Sequence, residues 1–291
     1  MEAAAKKAQS FGIPLISLSQ KEGITQIGDN VFSVAMTAES QVNAITEWAV
    51  SNKKIKNFGI VYPSTLFGNT YKDLFLKALS TAGGKIVMSQ GYGETTFDFG
   101  GLFRQPNKRY GALFIPDSYK AVGFIASTLL SEGVENVQLI GINRWNNPEL
   151  VERGGEALQG AVFVDGFFDG STSTSVQRFV TTFEQAYGMK PTILEAQSFD
   201  AAKIAIKALQ STGGAHPQDI KATLTNLPDV EGSTGSVGFD SNREPIKKLF
   251  LLTVKKENIV ELQDSAGQKI PTKDKYGTPI ENTPKIDGQK Y

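Results

Sequence analysis

The sequence predicts an α/β protein with mostly parallel sheets that are covered by helices on both faces. Short apolar runs alternate with longer stretches of helical periodicity between residues 12 and 164. Several helical stretches end at glycines such as Gly83 and Gly133, which are common helix stops. Strands that alternate with helices over this many units imply crossover connections, and parallel sheets require such connections.

The predicted elements follow one another in order along the chain. Strand-like runs lie at 12–17, 31–36, 58–62, 85–89, 111–115, 137–141 and 160–164, and helical stretches at 40–50, 71–79 and 121–130. Beyond these, helices are predicted at 175–187, 195–211 and 220–224, a glycine-rich turn at 232–240, and a closing hairpin at 249–254 and 258–262. The polar, proline-containing tail at 264–291 predicts an extended or poorly ordered arm.

Composition narrows the class of protein. The 291 residues suit two domains of ordinary size, and a hydrophobic content of 40% is enough for a real core. Lys+Arg and Asp+Glu both number 30, so no sequence-wide charge attracts nucleic acid. No apolar run reaches the roughly 18 residues of a transmembrane helix, and the segment after Met1 does not resemble a signal peptide. Cysteine is absent, which excludes disulfides, thiolate metal sites and cysteine nucleophiles.

A search for catalytic motifs returns mostly negatives. The single histidine, His216, precedes a predicted helix and suits a surface loop or cap better than a catalytic base. Ser51–Lys54 fits Ser-x-x-Lys but lies at a polar helix end without the usual companion motifs. A carboxylate pair of Asp98 and Asp117 has no local support, and a metal site built only from carboxylates would leave no recognisable pattern. We therefore predict no enzyme activity, no cofactor and no metal site.

Four loops are candidates for binding a small molecule. In open α/β sheets, ligands lie in the crevice beyond the carboxyl ends of the strands. The loops at 17–21, 63–67, 116–119 and 142–146 follow predicted strands and are rich in hydroxyls, amides and aromatic rings. The alternative is that their Ser, Asn and Asp residues only cap the next helices. The candidate ligand-binding residues are Ser17, Ser19, Lys21, Phe67, Asp117, Tyr119, Asn143 and Trp145.

The order of several motifs resembles the leucine/isoleucine/valine-binding-protein family over roughly residues 3–262. The segments that carry this resemblance are 12–17, 31–36, 58–62, 67–68, 96–99, 161–164, 199–201 and 235–240. The resemblance implies a type 1 periplasmic-binding-protein fold, in which two Rossmann-like lobes with parallel sheets are joined by three crossovers. A narrower likeness, at 113–117, 138–141, 146–150 and 160–168, is to penicillin-binding-protein activators, which are lipoproteins of the same fold that stimulate a peptidoglycan synthase.

The resemblance also implies where the two lobes meet. Lobe 1 would comprise 1–36 and 168–243, and lobe 2 would comprise 37–164 and 248–262. The crossings would lie near Met36–Thr37, Val164–Phe168 and Glu244–Lys248. The opening strand–helix units of the family would precede Glu2, so we expect lobe 1 to be truncated in this chain.

The resemblance carries over only part of the amino-acid-binding pocket. Phe67 stands where the amino-acid binders often have a tyrosine, and Lys21 falls near the position where they tend to have a threonine. Tyr119 keeps an aromatic ring. Asn143 falls where they place an acidic residue that pairs with the ligand's ammonium group, and an amide cannot supply that charge. The loop after Ser17 matches in position, so the resemblance implies hydroxyl or backbone donors at Ser17 and Ser19. This pattern counts against a plain α-amino acid as the ligand.

Two functions remain open on the sequence alone. The first is a non-enzymatic periplasmic receptor that closes its lobes on a small polar or amino-acid-like solute and serves the membrane subunits of an ABC importer or a sensor. The second is an activator that binds a peptidoglycan synthase. An open pocket would favour the receptor, and a cleft filled by Phe67, Arg144 or Trp145 would favour the activator. The resemblance implies a periplasmic or cell-envelope location for either function, and it leaves open a lipid anchor in the full-length protein.

Overall fold

The computed structural model confirms the α/β class and describes residues 1–93, 99–103, 109–213, 216–228, 230–263 and 267–270. Its helices are α1 Glu2–Phe11, α2 Ala38–Glu47, α3 Leu66–Ala82, α4 Gly100–Phe103, α5 Tyr119–Ser131, α6 Glu149–Gly154, α7 Thr174–Tyr187, α8 Ile193–Thr212 and α9 Pro217–Thr225. Its strands are β1 Leu15–Ser17, β2 Val31–Ser33, β3 Asn57–Pro63, β4 Lys85–Tyr92, β5 Ala112–Phe114, β6 Gln138–Gly141, β7 Val162–Asp165, β8 Val230–Gly232, β9 Gly235–Phe239, β10 Pro245–Ile246, β11 Phe250–Lys255 and β12 Asn258–Glu261.

A seven-stranded sheet dominates the fold, with the strand order β12-β11-β7-β6-β5-β3-β4. Strands β3 to β7 pair in parallel, as the crossover pattern predicted. Strand β11 pairs antiparallel with both β7 and β12, which confirms the closing hairpin. Every residue of β5 and β7 is buried, so helices cover both faces of the central strands.

Two smaller sheets lie outside the large one. Strands β1 and β2 pair in parallel, and β8, β9 and β10 form an antiparallel sheet. Residues of β2, α8, α9 and β9 form a core that is separate from the core of the large sheet, including Phe32, Ile204, Leu224 and Val237. A core that is separate from that of the large sheet fits the two-lobed fold class. The lobe boundaries given above stay a prediction.

Side-chain caps explain where several helices begin. The hydroxyl of Thr37 accepts a hydrogen bond from the backbone N–H of Ser40, and the hydroxyl of Ser40 accepts one from the N–H of Thr37, which completes a capping box at the start of α2. Thr192 and Glu195 form the same arrangement at α8. Ser118, which belongs to a candidate ligand loop, caps α5. The capping alternative is therefore realised at Ser118.

Several details of the architecture differ from the sequence prediction. Helices α4 and α6 are too short to show helical periodicity, and the sequence does not predict them. Pro245–Ile246, within the third predicted crossing, pairs with β9, so the chain leaves the smaller sheet only after residue 246. Three predictions fall at least partly outside the described residues. They concern Asp98, the 96–99 motif except for Phe99, and most of the 264–291 tail. In the part of the chain that the structure describes, no helix is long and apolar enough to cross a membrane.

Candidate functional site

The carboxyl ends of β3, β5 and β6 meet at one edge of the seven-stranded sheet, because these strands are neighbours and run in parallel. The loops that follow them, at 63–67, 116–119 and 142–146, are three of the four predicted ligand loops. We call the surface between these loops the carboxyl-edge crevice. The sequence therefore placed these three loops correctly relative to the sheet.

An aromatic and cationic stack lies at the carboxyl-edge crevice. The guanidinium carbon of Arg144 lies 4.8 Å from the centroid of the Phe67 ring. The Phe67 ring in turn packs on Tyr71, with 4.8 Å between the ring centroids. Phe67 is half-buried at the start of α3, whereas Arg144 is exposed. The stack thus combines an apolar surface with a positive charge.

A buried amide connects two walls of the crevice. Gln41 on α2 is fully buried, and its Oε1 accepts a hydrogen bond from the backbone N–H of Asn143 at 3.0 Å. Its Nε2 donates to the hydroxyl of Tyr71 at 3.2 Å. Burial raises the pKa of Tyr71, so the hydroxyl stays protonated. The sequence analysis missed Gln41, although a polar residue beside Val42 on the apolar face of a predicted helix was a signal.

Asp117 and Tyr119 already have partners in this structure. The hydroxyl of Tyr92 and the backbone N–H of Ser118 both donate to the carboxylate of Asp117. The hydroxyl of Tyr119 donates to Glu149 at 3.2 Å. A ligand that bonds to Asp117 or Tyr119 would therefore have to replace these hydrogen bonds, because the polar atoms of both side chains already have partners.

The fourth predicted loop follows β1 and is held by local contacts. Ser17 is buried, and its hydroxyl accepts a hydrogen bond from the N–H of Ser19 at 3.1 Å. Lys21 pairs with Glu2 of α1, so its charge is already compensated. Among the described residues, no hydrogen bond joins Ser17, Ser19 or Lys21 to the carboxyl-edge crevice.

Glu22 links the loop after β1 to helix α2. Its carboxylate accepts a hydrogen bond from the backbone N–H of Glu39 at 2.7 Å, at the start of α2. Burial raises the pKa of Glu22, while this hydrogen bond and one from Thr37 act in the opposite direction. A carboxylate at a helix N-terminus is also favoured by the helix dipole. Glu22 therefore ties the β1 loop to α2.

Trp145 is a correction to the sequence prediction. Its side chain has no exposed surface, and its indole Nε1 donates to the carbonyl of Ile115 at 3.1 Å. Its ring packs on Phe163, with 5.8 Å between the centroids. It also lies against Gly141, where an added Cβ would stand 2.1 Å from the indole. Trp145 is a core residue, and its ring does not line the crevice as expected.

One cavity overlaps the predicted site only at Asn143. It measures about 1190 Å³ and extends from the loop after β6 past α6 to the β11–β12 turn, with the start of α8 also on its wall. Its wall includes Asn146, Asp165, Phe167 and Lys190, which the list of candidate residues did not contain. A second cavity of about 630 Å³ lies between α7 and α8 and is largely apolar.

Two buried charged residues stand at the predicted crossings. Asp165, at the end of β7, accepts hydrogen bonds from Asn146 Nδ2 at 2.8 Å and from the N–H of Gly166 at 2.6 Å. Burial raises the pKa of Asp165 to about 7, against the opposing effect of these hydrogen bonds and the charge of Lys247. Burial also lowers the pKa of Lys247 to about 8, and its Nζ contacts the carbonyl oxygen of Val34 at 3.4 Å.

The raised pKa of Asp165 predicts that the protein loses stability as the pH rises through neutrality. Because the folded-state pKa of about 7 exceeds the ordinary aspartate pKa of 3.8, protonation favours the folded state. We expect the free energy of unfolding to fall by about 2–3 kcal/mol between pH 5 and pH 8 on account of this residue. Lys247 acts above pH 8, where rising pH neutralises it and restores stability.

Asp165→Asn tests this expectation, because the amide keeps the shape of the side chain and cannot titrate. Urea unfolding at several pH values should give a flatter profile between pH 5 and pH 8 for the variant than for the parent protein. Parallel profiles for the two proteins would rule out Asp165 as the titrating group.

Comparisons with known proteins agree with this fold. The sequence matches the family model described as "Periplasmic binding protein" over residues 1–258. No curated protein sequence matches significantly. A solved leucine binding protein from Thermotoga maritima is 20% identical, with a TM-score of 0.73, and the match covers 89% of this chain and 75% of that one.

Two other solved structures carry bound ligands. A substrate-binding protein of an ABC transporter from Desulfitobacterium hafniense, in complex with Leu, is 22% identical with a TM-score of 0.73, covering 89% of this chain and 76% of that one. A solute binding protein from R. palustris in complex with benzoate is 19% identical with a TM-score of 0.73, covering 96% and 77%. These likenesses show the fold, and the family match covers most of the chain. The chain therefore belongs to the periplasmic binding protein family.

Proposed function

We propose that the chain is a non-enzymatic solute receptor that binds a small organic molecule between two lobes and presents it to the membrane subunits of an ABC importer. The ligand would contact the carboxyl-edge crevice on lobe 2 and the loop after β1 on lobe 1. The lobes would have the boundaries 1–36 with 168–243 and 37–164 with 248–262. The protein would act in the periplasm or at the cell envelope.

The observation that carries this proposal is the composition of the carboxyl-edge crevice. An exposed guanidinium and a half-buried aromatic ring come together there, at Arg144 and Phe67, and the amide-bearing Asn143 precedes Arg144 in the same loop. Such a mixture orients a small molecule that has both polar and apolar parts. The proteins of similar fold that are described above bind Leu and benzoate, which are molecules of this kind.

The comparisons do not support the alternative of a peptidoglycan-synthase activator. The relatives described above are proteins that bind leucine or benzoate, or that serve ABC transporters. Trp145, one of the side chains expected to fill the cleft of an activator, lies in the core instead. The Arg144–Phe67 stack leaves Arg144 exposed to solvent, where it remains able to meet a ligand.

A ligand panel followed by thermal unfolding tests the proposal. The full chain is heated with amino acids, aromatic and aliphatic carboxylates, short peptides and peptidoglycan fragments. A small solute that binds only the folded state should stabilise it by about 2.7 kcal/mol at about 100 times its Kd. If no small solute at millimolar concentration shifts the melting temperature of a well-folded sample, the receptor proposal fails. A shift with peptidoglycan fragments alone would also contradict it.

A further inference from the structure

Arg144 is an exposed cationic side chain at the carboxyl-edge crevice. Among the described residues, it forms no ion pair, and its only recorded close contact is the stack on Phe67 at 4.8 Å. Two other cations are neutralised, since Arg153 pairs with Glu149 at 2.8 Å and Lys77 pairs with Glu39 at 2.8 Å. An exposed and uncompensated guanidinium is thus available at the carboxyl-edge crevice.

The side chain of Arg144 extends across the carboxyl-edge crevice, as its position in the fold shows. Arg144 follows β6, and Phe67 follows β3, with β5 lying between these two strands. To reach the Phe67 ring, the Arg144 side chain must therefore extend over the carboxyl end of β5, where a ligand of this fold class would lie. Stacking on the ring holds the guanidinium plane in one orientation and leaves its N–H groups free to form a fork with a carboxylate.

The loop that carries Arg144 is itself held in place. The backbone N–H of its neighbour Asn143 is bonded to the buried Gln41, which also holds Tyr71 below the Phe67 ring. The ring of Trp145 on the other side is anchored in the core. A cation on a fixed loop loses little freedom on binding, so more of the interaction energy appears as affinity.

The carboxylates around the crevice are already engaged. Glu149 pairs with Arg153 and accepts a hydrogen bond from Tyr119, and Asp117 accepts one from Tyr92. The third, Glu22, accepts from the N–H of Glu39. The side chain of Asn143 is neutral. The crevice therefore offers a free positive charge but no equally free negative charge to pair with an ammonium group.

We propose that Arg144 binds the carboxylate of the ligand, and that the preferred ligand is a small organic acid with a flat apolar body and no ammonium group. This inference rests on the proposed receptor function and specifies its ligand class. The guanidinium forks around the carboxylate, and the Phe67 ring, supported from below by the buried Tyr71, forms the apolar surface beside it.

Isothermal titration calorimetry on the full chain tests this assignment with three probes: benzoate, its neutral analogue benzamide, and leucine. We expect benzoate to bind more tightly than either benzamide or leucine. Arg144→Gln should weaken benzoate binding by about 10- to 100-fold, as expected for the loss of a charge-assisted hydrogen bond. Arg144→Lys should weaken it less, because the charge stays but the fork is lost. Arg109→Gln, at an exposed residue before the amino end of β5, removes the same charge away from the crevice and should leave binding unchanged.

The outcomes separate this inference from the receptor proposal. Benzoate binding that is equal in the parent protein and in Arg144→Gln would overturn the role of Arg144 while leaving the receptor proposal intact. Tighter binding of leucine or benzamide than of benzoate would overturn the ligand class in the same way. If no probe binds here and no member of the thermal panel stabilises the protein, both the receptor proposal and the role of Arg144 fail.

Discussion

Replacing Trp145 with alanine is expected to destabilise the protein by about 3–5 kcal/mol, the cost of emptying a large buried aromatic site. Trp145 has no exposed surface, packs on Phe163 and fills the space above Gly141. Its truncation also leaves the carbonyl of Ile115 without the indole N–H that it accepts. Urea unfolding measures the loss as a lower midpoint at unchanged slope.

The same variant separates a core role from a ligand contact. Because the indole itself does not reach the crevice and acts only by holding the Arg144 loop, the Kd for a ligand should rise less in Trp145→Ala than in Arg144→Gln, at a temperature at which the variant remains folded. Trp145→Phe, which keeps an aromatic ring but loses the indole N–H, should lose less stability than Trp145→Ala. If Trp145→Ala is as stable as the parent protein but no longer binds ligand, Trp145 is a ligand contact and not a core residue.

Replacing Asp200 with alanine is expected to cost about 3–5 kcal/mol as well, because a buried carboxylate there holds four donors. The backbone N–H and the hydroxyl of Ser233 both donate to it, and so do the corresponding groups of Thr234. Gly232 makes room for this contact, since an added Cβ would lie 2.5 Å from the Asp200 carboxylate. Asp200 thereby fastens α8 to the β8–β9 turn in the smaller core.

Two further variants make the Asp200 result specific. Asp200→Asn keeps one acceptor oxygen and the shape of the side chain, so we expect it to lose less stability than Asp200→Ala. Asp219→Ala, which removes an exposed carboxylate from α9, should cost less than about 1 kcal/mol. Equal unfolding midpoints for the Asp200→Ala and Asp219→Ala variants would show that the buried carboxylate contributes nothing beyond an exposed one.

Local pattern was sufficient for most of the fold. Strands such as Asn57–Pro63 are buried on both faces, so they appear in the sequence as short apolar runs. Helix ends at Gly83 and Gly188 could be placed because a left-handed backbone, with φ of 82° and 70°, favours glycine. The two-residue strand Pro245–Ile246 was not predictable, because its formation depends on pairing with a partner rather than on its own residues.

The candidate site was less predictable because its key contacts join distant parts of the chain. The loops after the strands could be identified, since parallel topology brings their carboxyl ends together. Gln41 and Asn143 are 102 residues apart in the sequence, so no local sequence pattern predicts the hydrogen bond between them. Trp145 is buried because Gly141 has no Cβ to exclude its ring and because Phe163, distant in sequence, packs against it. The polar residues around Trp145 in the sequence therefore gave no sign that it is a core residue.

The central claim, that two lobes close on a small ligand, is tested most directly by the distance between the lobes. The chain contains no cysteine, so Ser80→Cys with Gln210→Cys gives two unique labelling sites, both exposed, on α3 and α8. Pulsed electron spin resonance between two spin labels then gives the distance distribution with and without a ligand from the thermal panel. A shift of this distribution to one narrower population on adding that ligand is the predicted result. An unchanged distribution at saturating ligand would contradict the account.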